Sequence, residues 1–307
     1  MTWRKIGFFE SPTNGPAWRH SHCQLPTALV LSDKHVRVFY ASRTAQQRSH
    51  IGFTDLLFGD NPESFTIGRV ADTPVMTPGP VGHFDEHGVY PSCIVTHEGR
   101  HYMYFIGWNQ GVEAPLFYAS IGLALSDDGL NFERVSPAPI MSRSEHDPCL
   151  VTSPHVYIEN GVWRMTYVSG IGWWRNEKGT LQSTYHIKSA YSSNGVEWTR
   201  HGRVAIDFES GETNLARSAV LKVGDADYRM WYSRVHRDLG KYRIGYAEST
   251  DGDTWMRKDA LAGIGLDDSF AKEMICYPNV FTVGRETYML YNGDGYGRAG
   301  FGIARLV

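Results

Sequence analysis

One pattern returns five times along this chain: an apolar run, a tight turn, then a strand that ends on an aromatic. The aromatics are Tyr40, Phe105, Tyr167, Tyr232 and Tyr291. Pro26, Pro91, Pro154 and Pro278 stand 13 or 14 residues before four of them, and Ser218 takes that place before Tyr232. The repeat has a period of about 60 residues, and a unit of that kind cannot bury its apolar face alone. The units must therefore cover one another.

A third strand follows each aromatic: Ile51-Gly52-Phe53, Ile121-Gly122-Leu123, Ile187-Lys188-Ser189, Ile244-Gly245-Tyr246 and Phe301-Gly302-Ile303. Three of these run into a turn and a fourth strand, with Asp128-Gly129 before Phe132, Asn194-Gly195 before Trp198 and Asp251-Gly252 before Trp255. Asp-Gly and Asn-Gly supply the positive φ that tight hairpins need. Each unit thus reads as four antiparallel strands. The fifth ends at Val307 without a fourth strand, and Thr2-Trp3-Arg4-Lys5-Ile6-Gly7 has the character of the missing one. Pairing it beside residues 301–306 protects two sheet edges. The expectation is an all-β fold, a five-bladed β-propeller with four antiparallel strands per blade, closed by the N-terminal strand in the last blade. Residues 1–307 then form a single domain.

With 42% hydrophobic and 13% aromatic residues, the chain has the material for a large core. A net charge of -3 argues against a nucleic-acid surface, which needs a basic stripe. No apolar run of about 18 residues is present, so no membrane span is expected. The first ten residues show no signal-peptide core, and a cytoplasmic protein is the expectation. Cys23, Cys93, Cys149 and Cys276 lie in or just before the expected innermost strands, where buried free thiols are the natural state. No Cys-x-x-Cys spacing points to a metal, and no cofactor is expected.

The strand-one-to-two and three-to-four turns are short, whereas the connections on the other face include long ones at residues 107–120 and 169–186. Long loops on a rigid ring carry function, so the site is expected at the axis on that face. Alignment on the repeated Pro or Ser brings His22 and Gln24 there from blade one, and Asp85, Glu86, His87 and Tyr90 from blade two. Blade three brings Asp147 and Ser153, blade four Glu212, Asn214 and Arg217, and blade five Glu273 and Tyr277. Converging carboxylates split their pKa values, so one stays protonated while another ionises. Trp108, Trp173 and Trp174 offer faces for sugar rings, while carboxylates and Asn bind hydroxyls.

These features resemble the five-bladed propeller glycoside hydrolases and phosphorylases, the group of arabinanases and β-xylosidases, invertases and β-mannoside phosphorylases. The likeness covers nearly the whole chain. It rests on the Pro-aromatic spacing, the hairpin Ser126-Asp127-Asp128-Gly129-Leu130-Asn131-Phe132 and the closing Tyr291-Asn292-Gly293-Asp294-Gly295-Tyr296-Gly297. More narrowly, the chain is similar to propellers encoded with bacterial surface-polysaccharide genes. The group places an acid at the first inner strand, a second at blade two and a general acid at blade three. Here Cys23-Gln24-Leu25-Pro26 has no carboxylate, Val89-Tyr90-Pro91 stands where an Arg-Asp-Pro is usual, and Thr152-Ser153-Pro154 has only Asp147 on its approach.

The resemblance implies a carbohydrate-active enzyme acting on a glycosidic bond by hydrolysis or glycosyl transfer. Glycosidic cleavage normally takes two carboxyl groups flanking the bond. Asp85, Glu86, Glu212 and Glu273 are the candidate acids. His22, Gln24, His87, Tyr90, Trp108, Asp147, Ser153, Trp173, Trp174, Asn214, Arg217 and Tyr277 are the candidate substrate contacts. Two alternatives stand beside it: a glycan-binding or scaffold propeller without catalysis, and an enzyme of another class that reuses the pocket.

Overall fold

In the computed structural model, which describes residues 1–12 and 15–307, strands account for nearly all regular structure. Strand β1 (Trp3–Glu10) precedes four consecutive antiparallel groups. The first is β2 (Ser21–Ser32), β3 (His35–Arg43), β4 (Ser49–Phe58) and β5 (Phe65–Val70). The second is β6 (Gly88–His97), β7 (Arg100–Gln110), β8 (Phe117–Ser126) and β9 (Glu133–Arg134). In the third are β10 (Leu150–Glu159), β11 (Val162–Arg175), β12 (Leu181–Ser192) and β13 (Thr199–Ile206). The fourth holds β14 (Glu212–Gly224), β15 (Asp227–His236), β16 (Tyr242–Ser249) and β17 (Met256–Arg257).

Three strands close the chain: β18 (Cys276–Val283), β19 (Glu286–Asn292) and β20 (Gly300–Leu306). Strand β1 pairs antiparallel with β20, Trp3 opposite Leu306 and Glu10 opposite Gly300, and so supplies the fourth strand that this group lacks. The fold is all-β and propeller-like. Its innermost strands touch in cyclic order: β2 meets β6, β6 meets β10, β10 meets β14, β14 meets β18, and β18 returns to β2.

The repeat residues explain why each group forms. Tyr40, Phe105, Tyr167, Tyr232 and Tyr291 are fully buried, so the periodic aromatics build the core between sheets instead of a binding surface. Three hairpins share one mechanism. Ser126 Oγ accepts the Gly129 N–H at 2.9 Å, and Asp128 Oδ1 accepts those of Leu130 and Asn131 at 2.8 Å. Ser192 and Asn194 repeat the arrangement around Gly195, and Ser249 and Asp251 around Gly252. Each turn glycine has a positive φ, 66° at Gly129, which a residue without Cβ adopts freely.

Neighbouring groups are tied by side chains bonded to backbone near the axis. Asn292 and Asn279 accept the Leu25 and Ala28 N–H groups, both at 2.9 Å. Ser92 donates to the Pro154 carbonyl at 2.8 Å and Cys93 to that of Val156 at 3.4 Å. Cys93 thereby earns its burial as a hydrogen-bonding thiol. All four cysteines are free. Among the described residues no helix is long and apolar enough to cross a membrane.

Candidate active site

All five innermost strands carry a register irregularity at the repeated Pro or Ser: between Gln24 and Thr27, Pro91 and Cys93, Thr152 and His155, Ala216 and Ala219, and Cys276 and Asn279. Bulges of this kind re-aim side chains and recur next to sites. In four of them the residue before the Pro or Ser is left-handed: Leu25 (φ 54°), Ser153 (φ 49°), Arg217 (φ 40°) and Tyr277 (φ 58°). A residue with a Cβ held there costs roughly 1–3 kcal/mol. The repeated strain marks these inner-strand bulges as the place where the fold presents special side chains.

A cavity of about 820 Å³ opens at that place, lined by Leu25, Tyr90, Ser153 and Tyr277 and by residues from all five groups. Seven aromatic rings line it: Tyr90, Trp108, Phe117, Tyr185, Tyr242, Tyr277 and Tyr296. Gln24, Gln46, Gln47 and Gln110 add amides, Thr152 and Ser153 hydroxyls, and Arg43, Arg48 and His87 nitrogen donors. Trp108 is oriented by its Nε1–H, which donates to Ser49 Oγ at 3.0 Å, and the His87 ring lies 5.7 Å from it. Tyr185 and Tyr242 touch through their hydroxyls. Burial pushes the phenol of Tyr185 up to about 12 and those of Tyr242 and Tyr277 well above the ordinary value. At neutral pH they are neutral hydrogen-bond donors.

Of the residues expected at the site, Gln24, His87, Tyr90, Trp108, Ser153 and Tyr277 line this cavity. The others lie elsewhere. His22 bonds Ser21 Oγ at 2.8 Å, and its pKa falls to about 4 through burial and then the charges of Arg43 and Arg298. Trp173 packs edge-on against Phe117, Trp174 lies under the Arg237 guanidinium, and Asn214 donates to the Ser183 carbonyl at 3.0 Å. Arg217 is 1% exposed and reaches the Pro26 carbonyl at 2.9 Å, Thr27 Oγ1 at 2.8 Å and the Ser92 carbonyl at 3.3 Å.

The acids depart most from expectation: none of the lining residues is a carboxylate. A repeated clamp explains where they went. Asp85 is held by Arg134 of β9, whose guanidinium lies over Phe105. Asp147 is held by Arg200 of β13 at 2.9 Å and by the Tyr167 hydroxyl at 3.2 Å. Glu212 is held by Arg257 of β17 at 2.7 Å, over Tyr232. Asp267 is held by Lys5 of β1, over Tyr291. In four groups a cation of the fourth strand grips an acid from the crossover entering that group or, for Glu212, from the first residue of the inner strand, next to the repeat aromatic. Each of these four acids fastens the outer strand of its own group.

Glu86 and Glu273 fall outside the clamps and outside the cavity lining. Glu86 accepts the Gly82 N–H at 2.8 Å in a turn, and Glu273 is exposed and paired with Lys241 at 2.9 Å. Three carboxylates, Glu209, Glu212 and Asp259, come within 4.8 Å of one another as a metal site requires. Arg257 and Arg234 already form ion pairs with all three.

Tyr185, Tyr242 and Ala119 were missed, yet their signal is in the sequence. Each stands two residues before the Ile of its third strand, at Ile187, Ile244 and Ile121, and period-two alternation places such residues on one face.

Two Mycobacterium tuberculosis proteins, of strains CDC 1551 and H37Rv and each described as uncharacterized, are 38% identical over 313 residues, covering 100% of this chain and 99% of their own. The chain belongs to their family. No protein-family model matches it. The 1,2-beta-oligomannan phosphorylase of Thermoanaerobacter sp. (strain X514) is 24% identical over 151 residues, 48% of each chain. Among solved structures, a glycoside hydrolase superposes with a TM-score of 0.75 at 18% identity, over 98% of this chain and 91% of its own. The endo-arabinase of Bacteroides thetaiotaomicron VPI-5482 does so with 0.64 at 13% identity, over 98% of both. The family thus has the fold of propeller-like glycoside hydrolases.

Proposed function

We propose that the protein is a carbohydrate-active enzyme acting on a glycosidic bond, and that the axial cavity is where the glycan sits. The observation that carries this reading is the lining: seven aromatic rings interleaved with amides and hydroxyls in one concave site. Ring faces take the apolar faces of sugars, and the amides and hydroxyls take their hydroxyl groups. The architecture behind it is a closed five-bladed propeller forming one domain, supported by the cyclic contacts of the inner strands and the pairing of β1 with β20. The fold neighbours are glycoside hydrolases, and one relative is named for phosphorolysis of 1,2-β-oligomannan. Gln24, His87, Tyr90, Trp108, Ser153 and Tyr277 are the proposed sugar contacts. The free thiols accord with a reducing, cytoplasmic setting.

A second reading, glycan binding without turnover, is favoured by the placement of the expected acids outside the lining: Asp85 and Glu212 are bound to arginines, Glu273 to Lys241 and Glu86 to the Gly82 N–H. One experiment separates the two. Mannan, arabinan and fructan oligosaccharides are offered with and without inorganic phosphate, and both binding and release of reducing sugar or sugar phosphate are followed. Turnover that is lost in Trp108→Ala supports the enzyme; binding lost in the same variant with no turnover supports the binder. Absence of any glycan binding overturns both.

A further inference from the structure

The cavity has a charge that nothing balances. Arg43 and Arg48 line it, no carboxylate does, and neither arginine is in an ion pair with an Asp or Glu among the described residues. Twelve other arginines have a carboxylate partner, and of those without one among the described residues only Arg43 and Arg48 line the cavity. Arg43 is also held in place. Its Nε donates to Gln24 Oε1 at 2.8 Å and one terminal nitrogen to Gln47 Oε1 at 3.2 Å. Both partners are amides, which orient a guanidinium without neutralising it, and both line the cavity. Arg48 is tethered by a bond to the Glu86 carbonyl at 2.6 Å, again to a neutral acceptor. The neighbouring His22 has its pKa lowered first by burial and then by the charges of Arg43 and Arg298.

From this geometry we infer that the ligand of the cavity is an anionic sugar, whose carboxylate or phosphate group is received by Arg43 with Arg48 beside it. The inference rests on the carbohydrate reading of the cavity. A planar guanidinium fixed by two amides has its remaining N–H groups set for an oxyanion, the pairing in which arginine is strongest. A neutral sugar leaves two cations facing a site from which binding expels water. An anionic one supplies the missing charge. The uncharged tyrosine hydroxyls and the amides take the sugar's hydroxyl groups, and neutral donors of this kind do not repel an anion.

The test is calorimetric titration of the full chain with glucose, glucuronate and glucose 6-phosphate, the galactose and mannose series of the same three forms, and inorganic phosphate alone. The expected result is that at least one anionic sugar binds tenfold or more tighter than its neutral parent, with affinity falling as salt is raised. Arg43→Met removes the difference, Arg43→Lys restores part of it, and Arg285→Met leaves it unchanged, each variant first shown to keep the wild-type melting temperature within a few degrees. Whether uronates or sugar phosphates are preferred identifies the anionic group. Equal binding of neutral and anionic forms, insensitive to Arg43→Met, overturns the inference while the carbohydrate reading survives. Binding of inorganic phosphate that depends on Arg43, with no sugar bound, keeps the anion site and overturns the carbohydrate reading. No binding of any probe overturns both.

Discussion

Arg134 brings a terminal guanidinium nitrogen to 2.7 Å from Asp85 Oδ2, joining β9 to the crossover that enters its own sheet. The Asp85 side chain is 1% exposed and the Arg134 side chain 28%, so the carboxylate has little water to fall back on. Removing one partner of a buried pair leaves the other uncompensated and costs about 3–5 kcal/mol; the partial exposure of Arg134 puts Asp85→Asn near the lower end, about 3 kcal/mol. Urea denaturation checks this. The folded variant keeps its ligand affinity, whereas a catalytic Asp85 would show the reverse pattern, with normal stability and abolished turnover.

The ring of clamps also shows which parts of the molecule were legible beforehand. Architecture was readable because it is written locally and five times over: Ser126 and Asp128 make their turn within a few residues, and Tyr40 and its four counterparts mark the core by spacing alone. The inner-strand positions of Gln24, Tyr90, Ser153 and Tyr277 were equally accessible, since each sits one or two residues before a repeated proline. The role of the acids was not. Asp85 meets Arg134 across 49 residues, Asp147 meets Arg200 across 53, and Glu212 meets Arg257 across 45. Convergent acids look the same in sequence whether the cations that claim them are on the next strand or absent. Arg134, Arg200 and Arg257 do share a place in the fourth strand, and that recurrence was the available signal.

Glu273→Gln tests the other extreme. Its side chain and that of its partner Lys241 are 69% and 48% exposed, and exposed pairs contribute about 0–1 kcal/mol. The variant is expected to melt within a degree or two of the parent and to bind glycans unchanged. A loss of turnover in a variant this close to native stability would return Glu273 to the catalytic machinery.

Arg217 reaches from β14 to two other inner strands, β2 and β6, with no carboxylate among its partners. Burial lowers its pKa to about 9, which still leaves the guanidinium charged at neutral pH. Arg217→Met withdraws donors from the buried Pro26 and Ser92 carbonyls, and an orphaned buried acceptor costs about 1–3 kcal/mol. Release of the buried charge offsets part of that, so a net loss of about 2 kcal/mol is expected in chemical denaturation. Arg217→Lys, which keeps a donor but not the fork, falls between the two. An unchanged or raised stability in Arg217→Met would mean that the axis tolerates this cation without needing it as a brace.

His155 gives the pH dependence a sign. Its Nε2 accepts the Val220 N–H at 3.1 Å, tying β10 to β14, and burial lowers its pKa from 6.5 to about 4. Between those values the unfolded chain takes up a proton that the folded chain refuses, so stability rises with pH across the window and is lost on acidification from 6.5 towards 4. A shift of this size in a fully buried group corresponds to about 3 kcal/mol. His22, half-buried and lowered in the same direction, adds a smaller loss over the same range. His155→Gln retains a carbonyl acceptor for Val220 and cannot titrate. Its stability, measured by denaturation at half-unit steps from pH 7 to 4, is expected to fall less steeply than the parent's. Parallel curves for the two proteins would remove His155 as the source of acid sensitivity and leave the inner-strand bond as its sole contribution.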